Sequence, residues 1–437
     1  MKPLEVLTTR GHVFAWLGLV ATLAGMVLGY PDVTRIGLLV LVLPVCALIV
    51  TRRRAPALAV RRTVTPSRLH PDQRALVEAR FVNVGSRTSA MYLAEEHLDV
   101  HLGDRPRFLL PKMDPREERT VRYPIRSAHR GSYTLGPLGL RQRDPFGLTY
   151  VAVRLSSQTE VLVLPRVHDL GEGRLKAQAR GSEGEQPQMV ALHGEDDVSI
   201  RSYRDGDELR RVHWPATAHR GELMVRQEDR PSRRRAVLLL DGRRSAHGEG
   251  RSASFEYAVS TLASVARTLL LDDYVVHVLT AQTVRDGTAS HPVDLDSVLD
   301  LLARAVTEKD AQLEPLAGAA HSFTAGGVLA VAVVVAHDAE QLRHLAGIRE
   351  HGARAIAFAL DRGSFAGVDP DAAQGAWTPE SAQQEQTSAA AETPTSGRGQ
   401  SGILTDAGWQ IATCTPHTPI PQAWVTLQAG ASTRIAS

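Results

Sequence analysis

The chain has few cysteines and few lysines, and each shortage excludes a class of protein. Only two of its 437 residues are cysteine, Cys46 near the start and Cys414 near the end, so we expect no disulfide framework and favour a reducing compartment. Cys46 lies in an apolar run and Cys414 has only His417 nearby, so papain-like or transglutaminase chemistry is not expected. No lysine follows a glycine, which excludes the phosphate-binding loop of P-loop ATPases.

The sequence also lacks an excess of charged residues of one sign. Fifty Lys and Arg stand against 48 Asp and Glu, a net charge of +2 with the bases spread along the chain, so we expect no dominant nucleic-acid surface. The 17 histidines include a single His-x-x-x-His pair, His97 and His101. Their segment is predicted to be a strand, where residues four apart are separated by about 13 Å. Since paired cysteines are absent too, no zinc site is expected.

Two apolar runs, 13–30 and 36–50, begin the chain and are joined by a turn at Tyr30-Pro31-Asp32. Eighteen helical residues span about 27 Å, close to the ~30 Å hydrocarbon core of a bilayer. Basic residues flank the pair on both sides: Lys2, Arg10, Arg52, Arg53, Arg54, Arg61 and Arg62. The positive-inside rule then predicts a transmembrane hairpin over residues 1–54 with two spans and both termini cytoplasmic. A cleaved signal peptide and a soluble helical hairpin are the alternatives.

Short alternating segments follow, and they predict an antiparallel β-sandwich domain over residues 55–170. The predicted strands are 75–83, 120–125, 132–135 and 160–164, and Pro124 marks the second as an edge strand. Near the end of the domain, 144–148 (Asp-Pro-Phe-Gly-Leu) is interpreted as a strand-ending loop whose Phe146 plugs the core.

The rest of the chain predicts a linker and an α/β domain. Residues 171–193 are polar, without apolar rhythm, and are typical of an exposed connector. In 231–437, apolar strands at 236–240, 274–279, 328–336 and 355–360 alternate with helical patterns, which predicts a doubly wound fold. Residues 367–402 are too poor in apolar side chains to offset their ordering entropy, so we expect a disordered insert there.

The stretch 194–230, between linker and α/β domain, combines both signs of charge with two large aromatic residues. All its bases are arginine, which suits bidentate pairing with carboxylates. Asp207 is predicted to cap a short helix that carries Leu209 and Val212 and stops near Trp214, because Pro215 disfavours helical geometry in the residue before it. A structural ion-pair network, a site that grips a partner and a catalytic centre are the three interpretations.

The order of residues in this stretch resembles the bacterial family called domain of unknown function 58. The matching interaction motif is Arg201, Tyr203, Gly206, Asp207, Arg210, Arg211, Trp214 and Arg220. One position departs from the pattern, since His219 stands where the family usually has arginine. The resemblance implies a von Willebrand factor A-like α/β domain over 231–437 and partnership with a MoxR-type AAA+ ATPase.

Domains of von Willebrand factor type often hold magnesium through an Asp-x-Ser-x-Ser loop after the first strand. Here Asp241 and Ser245 match, Arg243 replaces the first serine, and Asp338 could add a carboxylate. A guanidinium cannot ligate a cation, so a magnesium site is the weaker expectation.

The sequence therefore predicts a non-enzymatic, membrane-anchored cytoplasmic scaffold or adaptor without a cofactor. A metal-dependent ligand-binding module with a degenerate ion site is the alternative, and a hydrolase that uses Asp205 and Asp207 is a third possibility.

Overall fold

A computed structural model describes residues 7–53, 57–144, 146–171, 198–203, 212, 214–228, 234–324, 328–349, 354–370 and 398–428. The chain divides into two compact units, one of Met1–Arg166 with Asp300–Arg304 and the other of Val167–Leu299 with Ala305–Ser437. Most of the predicted linker 171–193 and most of the predicted disordered insert 367–402 lie outside the described residues. The last residues of that insert belong to a helix that begins at Arg398.

The first unit begins with two apolar helices, α1 (Thr9–Leu28) and α2 (Pro31–Arg53). Gly29 ends α1 in the left-handed region, at φ 70°, and Pro31 opens α2, where its missing N–H costs nothing. Small residues let the helices approach closely. A Cβ on Gly18 would lie 2.6 Å from the Leu41 nitrogen, and one on Gly37 would lie 2.4 Å from the Thr22 nitrogen.

Both helices are long and apolar enough to cross a membrane. Their remaining faces are exposed, as Trp16 at 67%, Val27 at 85% and Leu39 at 66% show. An apolar helix of a soluble core would bury such residues, so length, composition and exposure all agree with the predicted hairpin.

Ten strands complete the first unit: β1 (Leu58–Thr65), β2 (Arg68–Leu69), β3 (Arg74–Asn83), β4 (Tyr92–Glu96), β5 (Arg107–Leu110), β6 (Glu118–Arg126), β7 (Gly131–Leu135), β8 (Leu138–Arg143), β9 (Tyr150–Leu155) and β10 (Thr159–Val163). They form sheets of order β1-β3-β6, β5-β4-β8-β9 and β2-β10-β7. Alternate residues along β3 are buried, and side chains of all three sheets share one apolar core. The four predicted strands are present, and Pro124 lies on the edge strand β6 as predicted.

Two local predictions in this unit are wrong. Phe146 does not plug the core, because its side chain is 64% exposed while Leu148 is buried. His97 and His101 do not lie on a strand: β4 ends at Glu96, and His101 belongs to a short 3₁₀ turn, Val100–Leu102, capped by Asp99. The His101 ring instead packs edge-on against the ring of His129, 5.0 Å away.

A buried ion pair joins the sheet β1-β3-β6 to the four-stranded sheet β5-β4-β8-β9. The Arg62 guanidinium on β1 donates to both carboxylate oxygens of Glu96 on β4, from Nε at 2.8 Å and from Nη2 at 3.0 Å. Arg62 Nη1 donates to the Ser157 carbonyl at 2.9 Å, and the Tyr123 hydroxyl donates to Glu96 at 3.1 Å. Both charged side chains are fully buried, so each depends on the other for neutralisation.

The remaining elements are β11 (Val198–Ser202), α3 (Trp214–Arg220), β12 (Met224–Glu228), β13 (Arg235–Leu240), α4 (Arg244–His247), α5 (Ala253–Leu271), β14 (Val275–Leu279), α6 (Ala281–Arg285), α7 (Leu295–Arg304), α8 (Leu313–Thr324), β15 (Leu329–Val335), α9 (Ala339–Ala346), β16 (Arg354–Leu360), α10 (Arg362–Phe365), α11 (Arg398–Asp406), β17 (Gln410–Cys414) and α12 (Ile420–Gln428). The last five strands form one parallel sheet of order β14-β13-β15-β16-β17. The predicted alternation of strands and helices around a parallel sheet is confirmed.

Helices cover both faces of this sheet. Val237 and Leu239 point into a cluster with Leu316 of α8 and Leu342 of α9. On the other face, Phe358 of β16 stacks on Trp424 of α12, with ring centroids 6.4 Å apart. Strands buried on both faces explain the continuous apolar runs in the sequence.

The buried pair generates a stability prediction. We expect Glu96→Gln to lower the free energy of unfolding by about 3–5 kcal/mol, because it leaves the Arg62 charge buried without a counter-charge. Equilibrium unfolding of the full chain in detergent, followed by circular dichroism, measures the loss.

Glu78→Gln is the matched control. It breaks a pair with Arg122 whose side chains are 31% and 64% exposed, and such pairs contribute at most about 1 kcal/mol. The double change Arg62→Met with Glu96→Leu should restore most of the lost stability, since it removes both charges. A loss in Glu96→Gln no larger than in the control would contradict this account.

Candidate functional site

The first candidate site is the described part of the interaction motif. β11 and β12 pair as an antiparallel ribbon in which Arg201 lies opposite Val225, and the Tyr203 N–H donates to the Leu223 carbonyl at 2.8 Å. The neighbouring residues Met224 and Val225 are both buried, whereas Leu223 is 42% exposed, so both faces of β12 are covered at this point. Gly206, Asp207, Arg210 and Arg211 lie outside the described residues, so the predicted ion-pair network and the helix capped by Asp207 stay predictions.

The prediction that a helix stops near Trp214 is wrong, since α3 begins at this residue. Pro215 then falls in the first turn, where no helical acceptor is available for an N–H and proline is tolerated. Val212 is extended and bridges Val225. Proline occurs both in the first turn of helices and just after their ends, and Pro215 lies in the first turn of α3.

The helix α3 presents a large aromatic surface. The Trp214 side chain is 69% exposed, and Arg220 is exposed at the other end of the same helix. The helix is fixed to β12 because the Thr217 hydroxyl accepts the Met224 N–H at 3.0 Å. Gly221 ends it at φ 71°, with its N–H on the Thr217 carbonyl at 2.9 Å. The exposed ring is therefore carried by a fixed element.

The second candidate site is the edge of the parallel sheet where the strands end. In an open α/β sheet, ligands bind beyond the carboxyl ends of the strands, where the strand order reverses. Here the first strand in sequence, β13, lies between the second, β14, and the third, β15. Asp241 follows β13 and Asp338 follows β15, so two of the three predicted metal residues lie at this edge.

Most polar side chains at this edge cap the helix that follows them. Thr280 accepts the Thr283 N–H at the start of α6, Asp338 accepts the N–H groups of Glu340 and Gln341 at the start of α9, and Asp361 accepts the Ser364 N–H in α10. Capping satisfies orphan donors of each helix. The carboxylate of Asp338 is therefore held in a structural role.

Asp241 behaves differently, because its carboxylate is fully buried and pairs with Arg243. Oδ1 accepts from the Arg243 backbone N–H at 3.1 Å and from Nε at 2.9 Å. Oδ2 accepts from Arg243 Nη2 at 2.8 Å and from the Val335 N–H at 3.2 Å. Four donors thus occupy the roughly four acceptor positions of a carboxylate.

The electrostatics of the pair favour both charges. Burial opposes ionisation, but the hydrogen bonds and charge of Arg243 outweigh it and hold the pKa of Asp241 below its usual value. Burial lowers the pKa of the neighbouring His247, whose Nδ1 lies 2.9 Å from the Ser254 hydroxyl. The buried Asp241 carboxylate is therefore compensated by Arg243, and it lies near an imidazole whose protonation is disfavoured by burial.

These residues do not fit a magnesium ion. Arg243 uses the Asp241 oxygens, Asp338 caps α9, and Ser245 is exposed on the four-residue helix α4. Within the described part of the chain, no three His, Cys, Asp or Glu residues are grouped so as to hold a metal. The sequence shows that Arg243 replaces the first serine of the Asp-x-Ser-x-Ser pattern. It does not show that the Arg243 side chain pairs with Asp241, two residues earlier.

Comparisons with known proteins bear on the stretch that contains the first site and the Asp241–Arg243 pair of the second. Residues 199–284 match the model of a family described as protein of unknown function DUF58. The uncharacterized protein YeaD of Bacillus subtilis (strain 168) is 26% identical over 152 residues, which are 35% of this chain and 36% of YeaD. The chain therefore spans about a third of the length of this relative.

Likeness to solved structures is weak. The CARDB domain of a Pyrococcus furiosus protein, in complex with di-metal ions, is 16% identical, covers 25% of this chain and 89% of that domain, and has a TM-score of 0.19. The putative ApaA protein from Bordetella pertussis is 14% identical, with 24% and 91% coverage and a TM-score of 0.19. Neither likeness carries an argument about function. Residues 199–284 therefore hold a DUF58 family match, and the resemblance predicted from the motif is confirmed at that level.

Proposed function

We propose that this chain is a non-enzymatic, membrane-anchored scaffold with its bulk in the cytoplasm, and that it binds a MoxR-type AAA+ ATPase. The observation that carries the proposal is the exposed Trp214 ring, 69% accessible within residues 199–284. Tryptophan and arginine dominate the binding energy of protein interfaces. A solvent-exposed tryptophan ring on a fixed helix is typical of a protein–protein interface.

The membrane part of the proposal is supported by the two apolar helices at the start of the chain. Arginines at 52, 53 and 54 directly follow the second apolar run, while the turn at Tyr30–Asp32 carries no lysine or arginine. By the positive-inside rule, both chain ends, the β-sheets of the first unit and the whole second unit would then lie in the cytoplasm.

Two finer assignments of fold belong to the same proposal. The apolar core shared by the three sheets, whose strands pair antiparallel except for β2 with β10, supports a β-sandwich over 55–170. The parallel sheet with helices on both faces, and an aspartate after its first strand, support a von Willebrand factor A-like domain over 231–437. In this domain Arg243 supplies internally the positive charge that a cation would bring.

A scaffold also suits the chemistry of the second site. The four donors around Asp241 leave it no acceptor position and no free proton for general acid–base work.

The docking surface predicts a large effect of Trp214→Ala. The full chain in detergent is immobilised, and binding of the MoxR-type ATPase from the same genome is measured by biolayer interferometry. We expect Trp214→Ala to weaken binding about 30-fold, the equivalent of about 2 kcal/mol for an aromatic hot spot. Charge reversal at Asp207 or Arg210 should weaken binding as well.

Val306→Ala is the control, because Val306 is equally exposed, at 69%, in the same compact unit but outside the family match. It should leave the dissociation constant within about twofold. A native chain that binds no such ATPase, or variants at 207, 210 and 214 that all bind as the native chain does, would overturn the proposed partner.

The metal-dependent alternative makes a separate prediction. We expect titration calorimetry of the native chain with Mg²⁺ or Mn²⁺ to give no saturable heat, because Arg243 already occupies the Asp241 oxygens. Arg243→Ser restores the serine of the metal-binding pattern and frees the carboxylate, so it should bind measurably tighter than the native chain. Saturable binding by the native chain that disappears in Asp241→Ala would favour the metal-dependent module over the scaffold.

A further inference from the structure

The loop between β8 and β9 holds an aromatic side chain away from the core. Asp144 fixes the loop: its buried carboxylate accepts the Thr149 N–H at 2.7 Å and the Phe146 N–H at 3.1 Å. Gly147 turns the backbone at φ 69°. Because the backbone around it is fixed, the 64% exposure of Phe146 is a built feature of the turn.

This loop is clamped to the first turn of α1. The Thr8 N–H donates to the Leu148 carbonyl at 2.9 Å, and the Thr8 hydroxyl donates to the Gly147 carbonyl at 2.6 Å. A Cβ on Gly11 would lie only 2.1 Å from the Leu148 oxygen, so only glycine permits this approach. The same threonine also caps α1 by accepting the Gly11 N–H at 3.1 Å.

The clamp sets the depth of the loop relative to the apolar run. The run begins at Val13, two residues after Gly11, which is about 3 Å along a helix axis. Residues 9–12 (Thr-Arg-Gly-His) suit the headgroup region more than hydrocarbon. With the run inserted in a bilayer, the loop lies at the level where headgroups meet acyl chains, the boundary into which Trp, Phe and Leu side chains of interfacial helices insert.

We infer that Phe146 is an interfacial anchor whose ring inserts at the boundary between headgroups and acyl chains, beside the first span. The inference rests on the proposed membrane insertion and adds a second contact with the bilayer, made by the β-sheet unit. Lipid is the expected occupant because the loop is continuous, through Thr8 and Gly11, with the start of a helix whose outer face is apolar and exposed.

The experiment measures the depth of position 146 with an environment-sensitive fluorophore on Phe146→Cys. The full chain carries Cys46→Ala, since Cys46 is exposed. Cys414 needs no change, because it is buried and burial raises the pKa of its thiol to about 12. The protein is reconstituted in phosphatidylcholine–phosphatidylglycerol vesicles that contain nitroxide lipids labelled near the headgroup or deep in the chain.

Two matched positions calibrate the measurement. Val20→Cys lies midway along α1, where the side chain is 59% exposed, and reports insertion of the helix. Val100→Cys is 78% exposed and follows Glu96, which pairs with Leu138 at the end of β8 far from the loop. Six residues of strand separate these ends by roughly 20 Å, so position 100 reports a surface away from the clamp.

We expect the label at 146 to be quenched several-fold more by shallow nitroxide lipids than the label at 100, and less by deep ones than the label at 20. A water-soluble quencher is added in a separate measurement. If the label at 146 is quenched only by that agent, while nitroxide lipids quench the label at 20, the anchor is overturned but membrane insertion of α1 is still supported. Protection of 146 from both agents means that protein covers it, which also overturns the anchor. A position 20 that no lipid reaches overturns insertion and the anchor together.

Discussion

Two buried carboxylates in the described part of this protein are each neutralised by an arginine that contacts both carboxylate oxygens. Arg62 meets Glu96 in this way in the first unit, and Arg243 meets Asp241 in the second. Isolated buried charges are costly, and a planar guanidinium pairs with both oxygens of a carboxylate in one fixed geometry. Both of these buried pairs use arginine, in a chain that has only four lysines.

The same constraint decides what the sheet edge can do. A parallel sheet leaves its carboxyl edge as the natural place for a ligand, yet three of the polar residues there cap helices and Asp241 is saturated by donors. The site is complete without an ion. By contrast, Trp214 lies on the surface of α3, 69% exposed, so the surface open to a partner is in the motif and not at the sheet edge. This contrast is the physical basis for preferring a scaffold to a metal-dependent module.

Most of the fold could be predicted from the spacing of apolar residues along the sequence. Runs such as 236–240 and 355–360 were predictable because a strand buried on both faces must be apolar throughout, and 75–83 because one buried face requires alternation. The failures are local. Phe146 was assigned to the core on hydrophobicity alone, Pro215 was assigned to a helix end though it stands at a start, and α8 was not predicted. These features depend on tertiary contacts or, for proline, on a choice between the start and the end of a helix. The pattern of a single sequence reveals neither the contacts nor the choice.

The site was less predictable than the fold for a related reason. The Asp241–Arg243 contact joins residues that are two apart in sequence, and it depends on the turn of the chain after β13. The fourth donor to Asp241 is the Val335 N–H of β15, which is far away in sequence but adjacent in the sheet. The clamp between Thr8 and residues 147 and 148 likewise joins positions about 140 residues apart in sequence. The proposed scaffold would need to hold its surfaces at a defined distance from the bilayer. Close helix packing at Gly18 and Gly37 fixes the hairpin, and the clamp fixes the β-sheet unit to that hairpin. The position of the β-sheets relative to the hairpin is therefore fixed by hydrogen bonds and close glycine contacts.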